Sequence, residues 1–550
     1  MRRSSVYLER LRSYSSTLSR KLQRRLGTNR GEIDRLRAAA GLPLKSASSG
    51  PREQPSIKRV RRIEQASDDR AHLWIVVPGG IQYFRFVESG AFTKIEAAYR
   101  VTYVLPDPDC KRRIPRALDD FKHDEIIFTP VDERRRAVWG FLFEVSCCAL
   151  KSRCTSFRIR YEMERLGRLR KARSLSQRLF ARIPSVLASR PLFGRFRRNL
   201  IRSLGAEPAL ARALAEDRPA AILVPSSLYD ALTNEVIVTA REAAVPTIIL
   251  QNSWDNLSSK GIVAVPPDFM GVWGEQSVNH AVDLQDMSRE RCIVVGSPYY
   301  ESFFRRPRRS KTDARRSLGL APDELVVLFG GSFRQFDEAA LLRRIEDAID
   351  NGRLPRMLVF YRPHPGRELR DETNFFDFHW RHTVMDEEVA VVYRANVEGR
   401  MISQNEFGYD LDRLADIYTA VDLTISPMSS IVLESLLFGL PVLGIGYSDG
   451  RNLWGPEKTS QMTHFKELKE VPCVQICHHP DEFLDDLRVV LDWVKRPDIA
   501  ATAGESARFF VDNGEETYAT RALDLVRSVV PQLGESPARS PKSDAYIDAV

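Results

Sequence analysis

Short apolar runs, each ending in proline, glycine or a polar turn, recur along the chain in two series. The first holds LWIVVPGG (73–80), VTYVLPD (101–107), DEIIFTP (124–130), AAILVPSS (220–227), TIILQNS (247–253), MGVWGE (270–275) and CIVVGSP (292–298). The second holds LVVLFGGS (325–332), MLVFYRPHP (357–365), AVVYR (390–394), LTISP (423–427), PVLGIG (441–446) and CVQIC (473–477). Runs without polar alternation predict strands buried on both faces. Helical stretches at 230–243, 337–350 and 411–420 separate several of them. The pattern predicts an α/β protein: two Rossmann-like domains in series, facing a cleft, each a parallel sheet covered by helices.

Length and charge divide the chain further. At 550 residues it is long for one core. The expected divisions are a basic extension and linker over 1–70, a first domain over 71–304 with a basic helical segment at 151–215, a second domain over 305–533, and a tail over 534–550. The net charge of +9 is unevenly spread. Residues 1–70 hold 18 Lys/Arg against 7 Asp/Glu, and residues 151–202 hold 16 against 2, so the remainder is acidic. That confinement argues against a body that coats nucleic acid, and no specific nucleic-acid partner is expected. The two basic segments read either as solvated surface or as contacts for something anionic: a membrane surface, a polyanionic glycan or RNA.

No apolar run approaches the ~20 residues of a membrane span, and the N-terminus lacks the apolar core of a secretory signal. The seven cysteines have no paired spacing; Cys473, Cys477 and His478-His479 lack further well-placed ligands, so neither disulfides nor metal is expected. The chain reads as cytoplasmic, with peripheral contact on the inner membrane face.

Unusual polar clusters stand where the predicted strands end. Ser429 and Ser430 follow LTISP and open a helix, where unpaired N–H groups and the positive dipole end suit a phosphate; the same serines also suit plain N-capping. Glu434, one turn on, is an acid within an apolar helix and needs a partner or a ligand, such as ribose hydroxyls. In RPHP, prolines flank His364 beside Arg362 and fix the loop that presents the imidazole. In GGSFR, Gly330 and Gly331 permit close backbone approach, Ser332 follows, and Arg334 can neutralise a diphosphate. In QNSWDNLSSKG, Asp255 can act as base toward an acceptor hydroxyl, while Asn252, Asn256 and Lys260 can orient a sugar or phosphate; a capped turn is the plain alternative.

The run DLDRLADIYTAVDLTISPMSSIVLESLLFGLPVLGIG resembles the donor-binding unit of GT-B-fold glycosyltransferases. RPHP with SSxxxE is most similar to the CDP-glycerol glycerophosphotransferases and to capsule sialyltransferases with HP and SS motifs. VVLFGGSFR resembles the segment that opens the donor domain of the first group. SWDNLSSKG, VWGEQS and RCIVVGSP are similar to bacterial surface-carbohydrate transferases. The resemblance covers residues 73–530 and implies that His364, Ser429 and Ser430 contact donor phosphates, with Glu434 toward the ribose. With Gly331, Ser332, Arg334 and Arg362 these form the expected donor site. Asp255 and His364 are the expected catalytic pair, and Asn252, Trp254, Asn256 and Lys260 the acceptor group.

Two departures stand out. Glycerophosphotransferases carry a His-Gly pair where this chain has Trp254-Asp255, and the sialyltransferase acidic pair has no match. The implied activity is transfer of a sugar from a nucleotide-activated donor to a surface-polysaccharide or lipid-linked acceptor. It needs no cofactor beyond that co-substrate and, lacking paired carboxylates near the donor motifs, no metal. The alternatives are a CDP-polyol phosphotransferase, a sugar-nucleotide 2-epimerase and an inactive polyanion-binding scaffold.

Overall fold

The computed structural model describes residues 57–60, 69–106, 124–128, 132–150, several positions between 157 and 170, 182–305, 308–332, 336–365, 373–398, 410–451 and 455–530. Arg334, most of the basic extension, most of 151–181 and the expected tail lie outside the described residues. By its contacts the chain forms two units. One spans the residues up to Gly271 with Asn279–Ile293 and the segment from Ala519; the other spans Val272–Val278 and Val294–Tyr518.

The first sheet is built from β1 (Ile57–Val60), β2 (His72–Val76), β3 (Arg100–Pro106), β4 (Asp124–Phe128), β5 (Ala221–Ser226), β6 (Thr247–Gln251), β7 (Phe269–Val272) and β8 (Cys292–Val294). Its order is β1-β4-β3-β2-β5-β6-β7-β8. The pairs from β4 to β7 are parallel; β1 adds an antiparallel edge, with Arg59 opposite Ile126. β1 lies in the basic extension, outside the apolar runs that predict strands, and is an addition to them. The second sheet is built from β9 (Val326–Gly330), β10 (Leu358–Arg362), β11 (Thr383–Met385), β12 (Leu423–Ser426), β13 (Val442–Ile445) and β14 (Val474–Cys477), in the order β11-β10-β9-β12-β13-β14. All its pairs are parallel.

Numbered within the unit, the second sheet runs 3-2-1-4-5-6, the Rossmann order, and the first repeats it from β2 with one strand more. The order reverses between β2 and β5 in one sheet and between β9 and β12 in the other. Ligands of open α/β sheets bind beyond the strand ends at such reversals.

The helices that matter for the sites are α1 (Glu133–Ala149), α2 (Ile183–Leu187), α3 (Arg190–Leu204), α4 (Ala231–Glu242), α5 (Glu338–Asp350), α6 (Glu387–Val397), α7 (Leu411–Ala420), α8 (Ser430–Leu437) and α9 (Asp498–Phe510). AVVYR, expected as a strand, lies in α6. Asp386 caps that helix through the Glu388 N–H, and Val389, Val392, Tyr393 and Asn396 are buried while Val391 is exposed. That three-and-four spacing is helical, and it overrides the β preference of the valines. The strand of this region is instead the short β11.

Candidate functional site

In the second unit three strand ends meet at the reversal. The Gly331 N–H donates to the Arg362 carbonyl at 2.8 Å, tying the loop after β9 to the RPHP turn after β10. A Cβ on Gly331 would stand 2.9 Å from Pro363 Cα and 3.0 Å from the His364 nitrogen. A Cβ on Gly330 would stand 2.5 Å from Ile431 Cδ1, in the first turn of α8. The glycines therefore let backbone, the His364 loop and the start of α8 crowd together. Gly331, Ser332, His364, Ser429 and Ser430 belong to one neighbourhood.

The turn into α8 is strained. Met428 has φ of 48°, a left-handed conformation that only glycine adopts without cost. It lets Ser429 serve as N-cap: its hydroxyl accepts the Ile431 N–H at 3.3 Å and pairs with Ser426 Oγ at 2.9 Å. Ser430, the next residue, is exposed. The helix itself is buried from Val432 to Leu437 and ends at Gly439, whose φ is +76°. It packs between β12, β13 and α9, which explains its apolar composition.

Glu434 has partners of its own. It is 8% exposed and accepts hydrogen bonds from Tyr300 Oη at 3.0 Å and Tyr418 Oη at 2.5 Å. Burial, and then the adjacent carboxylate, push the Tyr418 hydroxyl well above its ordinary range, so it stays a donor. Both tyrosine hydroxyls bind the acid that the sequence assigns to ribose.

Arg362 is likewise engaged. It lies in a cluster with the buried Asp386 and the half-buried Glu388 and Arg413: it pairs with Asp386 and, at 2.8 Å, with Glu388, while Arg413 donates to Asp386 at 2.5 Å. Burial works to lower the Arg362 pKa, but the two carboxylates outweigh it and hold the guanidinium charged. One guanidinium nitrogen has no hydrogen-bond partner.

The sequence reading missed Glu338. It is fully buried under the Gly331–Ser332 loop, accepts the Ser332 N–H at 3.0 Å and the Tyr361 hydroxyl at 2.8 Å, and would obstruct a Cβ on Gly331. At the start of the same helix, the Asp337 cap accepts the Ala340 N–H and an Arg451 guanidinium at 2.6 Å. The α5 N-terminus thus already carries a carboxylate, whereas α8 has a neutral cap and no acid in its first turn. Beyond the ends of β13 and β14 lies a cavity of about 560 Å³, lined by Gly446, Ser448, Lys469 and His478 among others.

In the first unit the corresponding reversal carries a hydrogen-bonded polar chain. Ser227 Oγ accepts from Gln82 Nε2 and from Asn252 Nδ2, both at 3.1 Å, and Arg85 donates to the Asn252 carbonyl at 2.5 Å. Asn252 is 4% exposed, and its Oδ1 has no partner. Gln82, Arg85 and Ser227 were not singled out in the sequence; the PGG that ends LWIVVPGG was the available signal. A π-helical turn at Tyr83–Glu88 follows that loop, a form frequent at functional sites.

Asp255 accepts from Ser259 Oγ at 2.6 Å and pairs with Lys260 Nζ at 3.5 Å. The Lys260 ammonium also lies 4.6 Å from the Phe157 ring and 5.8 Å from the Tyr229 ring, two faces of a cluster completed by Phe143. Trp254 and Asn256 are buried; Asn256 Oδ1 accepts the Ser253 N–H at 2.8 Å and shapes the turn. Among the described residues no group of three or more His, Cys, Asp and Glu is placed to hold a metal.

No protein-family model and no curated protein matches this chain. Among solved structures, a putative UDP-N-acetylglucosamine 2-epimerase from Listeria monocytogenes aligns over 84% of this chain and 97% of its own, with 10% identity and a TM-score of 0.43. The glycotransferase of kitacinnamycin aligns over 84% and 100%, with 13% identity and a TM-score of 0.44. A glycosyltransferase from Rickettsia africae ESF-5 aligns over 85% and 100%, with 10% identity and a TM-score of 0.43. Likeness at this level leaves both fold and chemistry to rest on the chain's own strands and residues.

Proposed function

We propose that the protein is a glycosyltransferase that uses a nucleotide-activated sugar, with the donor held by the second unit and the acceptor by residues of the first. The observation that carries this reading is the meeting of Gly330–Gly331, His364 and the uncapped-by-acid start of α8 at the sheet reversal. Backbone N–H groups and the Ser430 hydroxyl offer donors to a diphosphate, the helix dipole favours its charge, and His364 stands beside it. Ser429 serves as the cap that orients that turn. Glu434, satisfied by Tyr300 and Tyr418, anchors α8 from beneath rather than holding ribose. The cavity past β13 and β14 offers room for the transferred sugar.

Transfer requires the acceptor oxygen to attack the anomeric carbon as the bond to the leaving phosphate breaks, with the acceptor proton passing to a base. Asp255 is assigned that role. Its carboxylate is paired with Lys260, so an incoming acceptor must compete for that contact. Asn252, with one unpaired amide oxygen, and Arg85 orient the acceptor. A surface-polysaccharide or lipid-linked glycan is the acceptor class that fits the motif resemblance.

The test is nucleotide release from UDP-, GDP-, CDP- and CMP-activated sugars in the presence of glycan acceptors. The reading expects one donor to turn over and Asp255→Asn to lower turnover at least about a hundredfold without weakening nucleotide binding. Turnover of none, or full activity in Asp255→Asn, would remove respectively the activity or the assigned base.

A further inference from the structure

The helical hairpin of α2 and α3 in the first unit presents a surface that the sheet chemistry does not use. Its inner side is firmly held. Phe193 is buried with the Arg197 guanidinium 5.4 Å from its ring, and Phe196 meets Phe141 of α1 edge-on at 5.9 Å. Arg135 of α1 donates to the carbonyls of Leu204 and Gly205 at 2.8 and 2.6 Å, closing the end of α3. These contacts fix which side faces out.

The outer side is unusual for a soluble surface. Leu192, Arg195, Asn199 and Arg202 are all exposed and, at spacings of three and four, share one helix face. In α2, Ile183 and Val186 are exposed next to Arg182. Ile183, Val186 and Leu192 show 37%, 58% and 42% of their surface, within ten residues of sequence. Scattered exposed aliphatics are ordinary, but here they are grouped among arginines. From Arg165 to Ala206 the chain has twelve Lys/Arg and no Asp or Glu.

We infer that this hairpin lays its outer face on an anionic lipid bilayer, with Ile183, Val186 and Leu192 entering the headgroup boundary and Arg182, Arg195 and Arg202 on lipid phosphates. Such an interface takes both halves of the face: apolar side chains leave water while the charges stay at the phosphates. A nucleic acid would satisfy the arginines alone, since among its described residues the face carries no aromatic ring for base stacking, and its three aliphatic side chains would stay in water. No helix among the described residues is long and apolar enough to cross a membrane, so the contact is lateral.

Flotation of the full chain with vesicles of phosphatidylcholine alone, or with about one-third phosphatidylglycerol, tests this. The wild type should float with the mixed vesicles only, less so in high salt. The triple variant Ile183→Asn, Val186→Asn and Leu192→Asn keeps every arginine and the N-terminal basic segment, yet should bind at least about tenfold more weakly. Its thermal midpoint reports folding; should it fall, Arg195→Glu with Arg202→Glu gives the same reading from the charged half. Unchanged binding in a folded variant overturns the inference, as does equal or absent flotation on both vesicle types. So does displacement of the wild type from vesicles by single-stranded RNA that also binds the triple variant equally. The readout is vesicle binding, independent of turnover.

Discussion

The two sheet reversals are built alike and are charged differently. In each, a serine ends the strand, a non-glycine residue takes a left-handed conformation two positions later, and a helix follows: Ser226, Leu228 and α4 in the first unit, Ser426, Met428 and α8 in the second. Each helix carries a buried glutamate five residues past its cap, Glu235 after Asp230 and Glu434 after Ser429. The caps differ. Asp230 is a buried carboxylate that accepts the Thr233 N–H at 2.7 Å, so the positive end of α4 already faces an anion of its own chain. Ser429 is neutral, and the first turn of α8 carries no acid. The same geometry with a different cap is what the proposed phosphate seat in the second unit rests on.

The buried glutamates sharpen the contrast, and Arg135→Ala is expected to have the largest effect. Glu235 is fully buried and receives Arg135 Nε and NH2 at 2.7 and 2.6 Å and Trp139 Nε1 at 2.6 Å. Removing the arginine strands a buried charge and should cost about 3 kcal/mol in urea unfolding. Glu434→Gln exchanges a neutral-donor network for a slightly poorer one and should cost roughly 1–2 kcal/mol, with nucleotide affinity close to wild type. A large affinity loss in a stable Glu434→Gln protein would return that residue to the ligand.

Gly331→Ala should weaken nucleotide affinity about tenfold, because the added carbon meets the Pro363 and His364 backbone as well as the buried Glu338 carboxylate. Calorimetric titration measures it. Ser430→Ala should lower affinity several-fold at unchanged stability, since Ser430 is exposed. Stability loss with intact affinity would reduce both serines to capping.

The smallest effect concerns the second unit's edge. Burial pushes the Cys473 thiol up to about 11; burial, and then Asp486, push Cys477 to about 12. Both should resist alkylation at pH 8 in the folded protein and react on unfolding. Because these folded-state values exceed the unfolded thiol's, the stability they carry is complete below an unfolded pKa of ~8.5 and declines as pH rises toward 11 and 12. Rapid labelling of native Cys477 at pH 8 would contradict that burial.

Legibility in the sequence followed burial geometry. Parallel strands covered on both faces leave unbroken apolar runs, so the Rossmann series could be read almost strand by strand. AVVYR failed because a valine-rich helix with valines on its exposed side as well as its buried one imitates a strand when only composition is counted. The strand-end motifs were visible because glycine, proline and paired serine are local signals. Their partners were not: Glu434 is met by Tyr300, more than a hundred positions away, and Gly331 is crowded by Glu338 only after α5 folds back. The carboxylate partners of Arg362, Asp386 and Glu388, lie more than twenty positions on and give no local signal.

The most direct test is calorimetric titration of UDP, CDP, CMP and GDP into wild type and Ser429→Asp. Aspartate caps a helix as well as serine does, so the fold should persist with unchanged stability while the α8 N-terminus gains the charge that α4 already has. The account predicts that at least one nucleotide binds the wild type and that Ser429→Asp weakens it at least about thirtyfold, ~2 kcal/mol. The matching change Asp230→Asn in the first unit should leave nucleotide affinity unaltered. Binding of no nucleotide, or equal affinity in Ser429→Asp, would contradict the assignment of the phosphate to the second reversal.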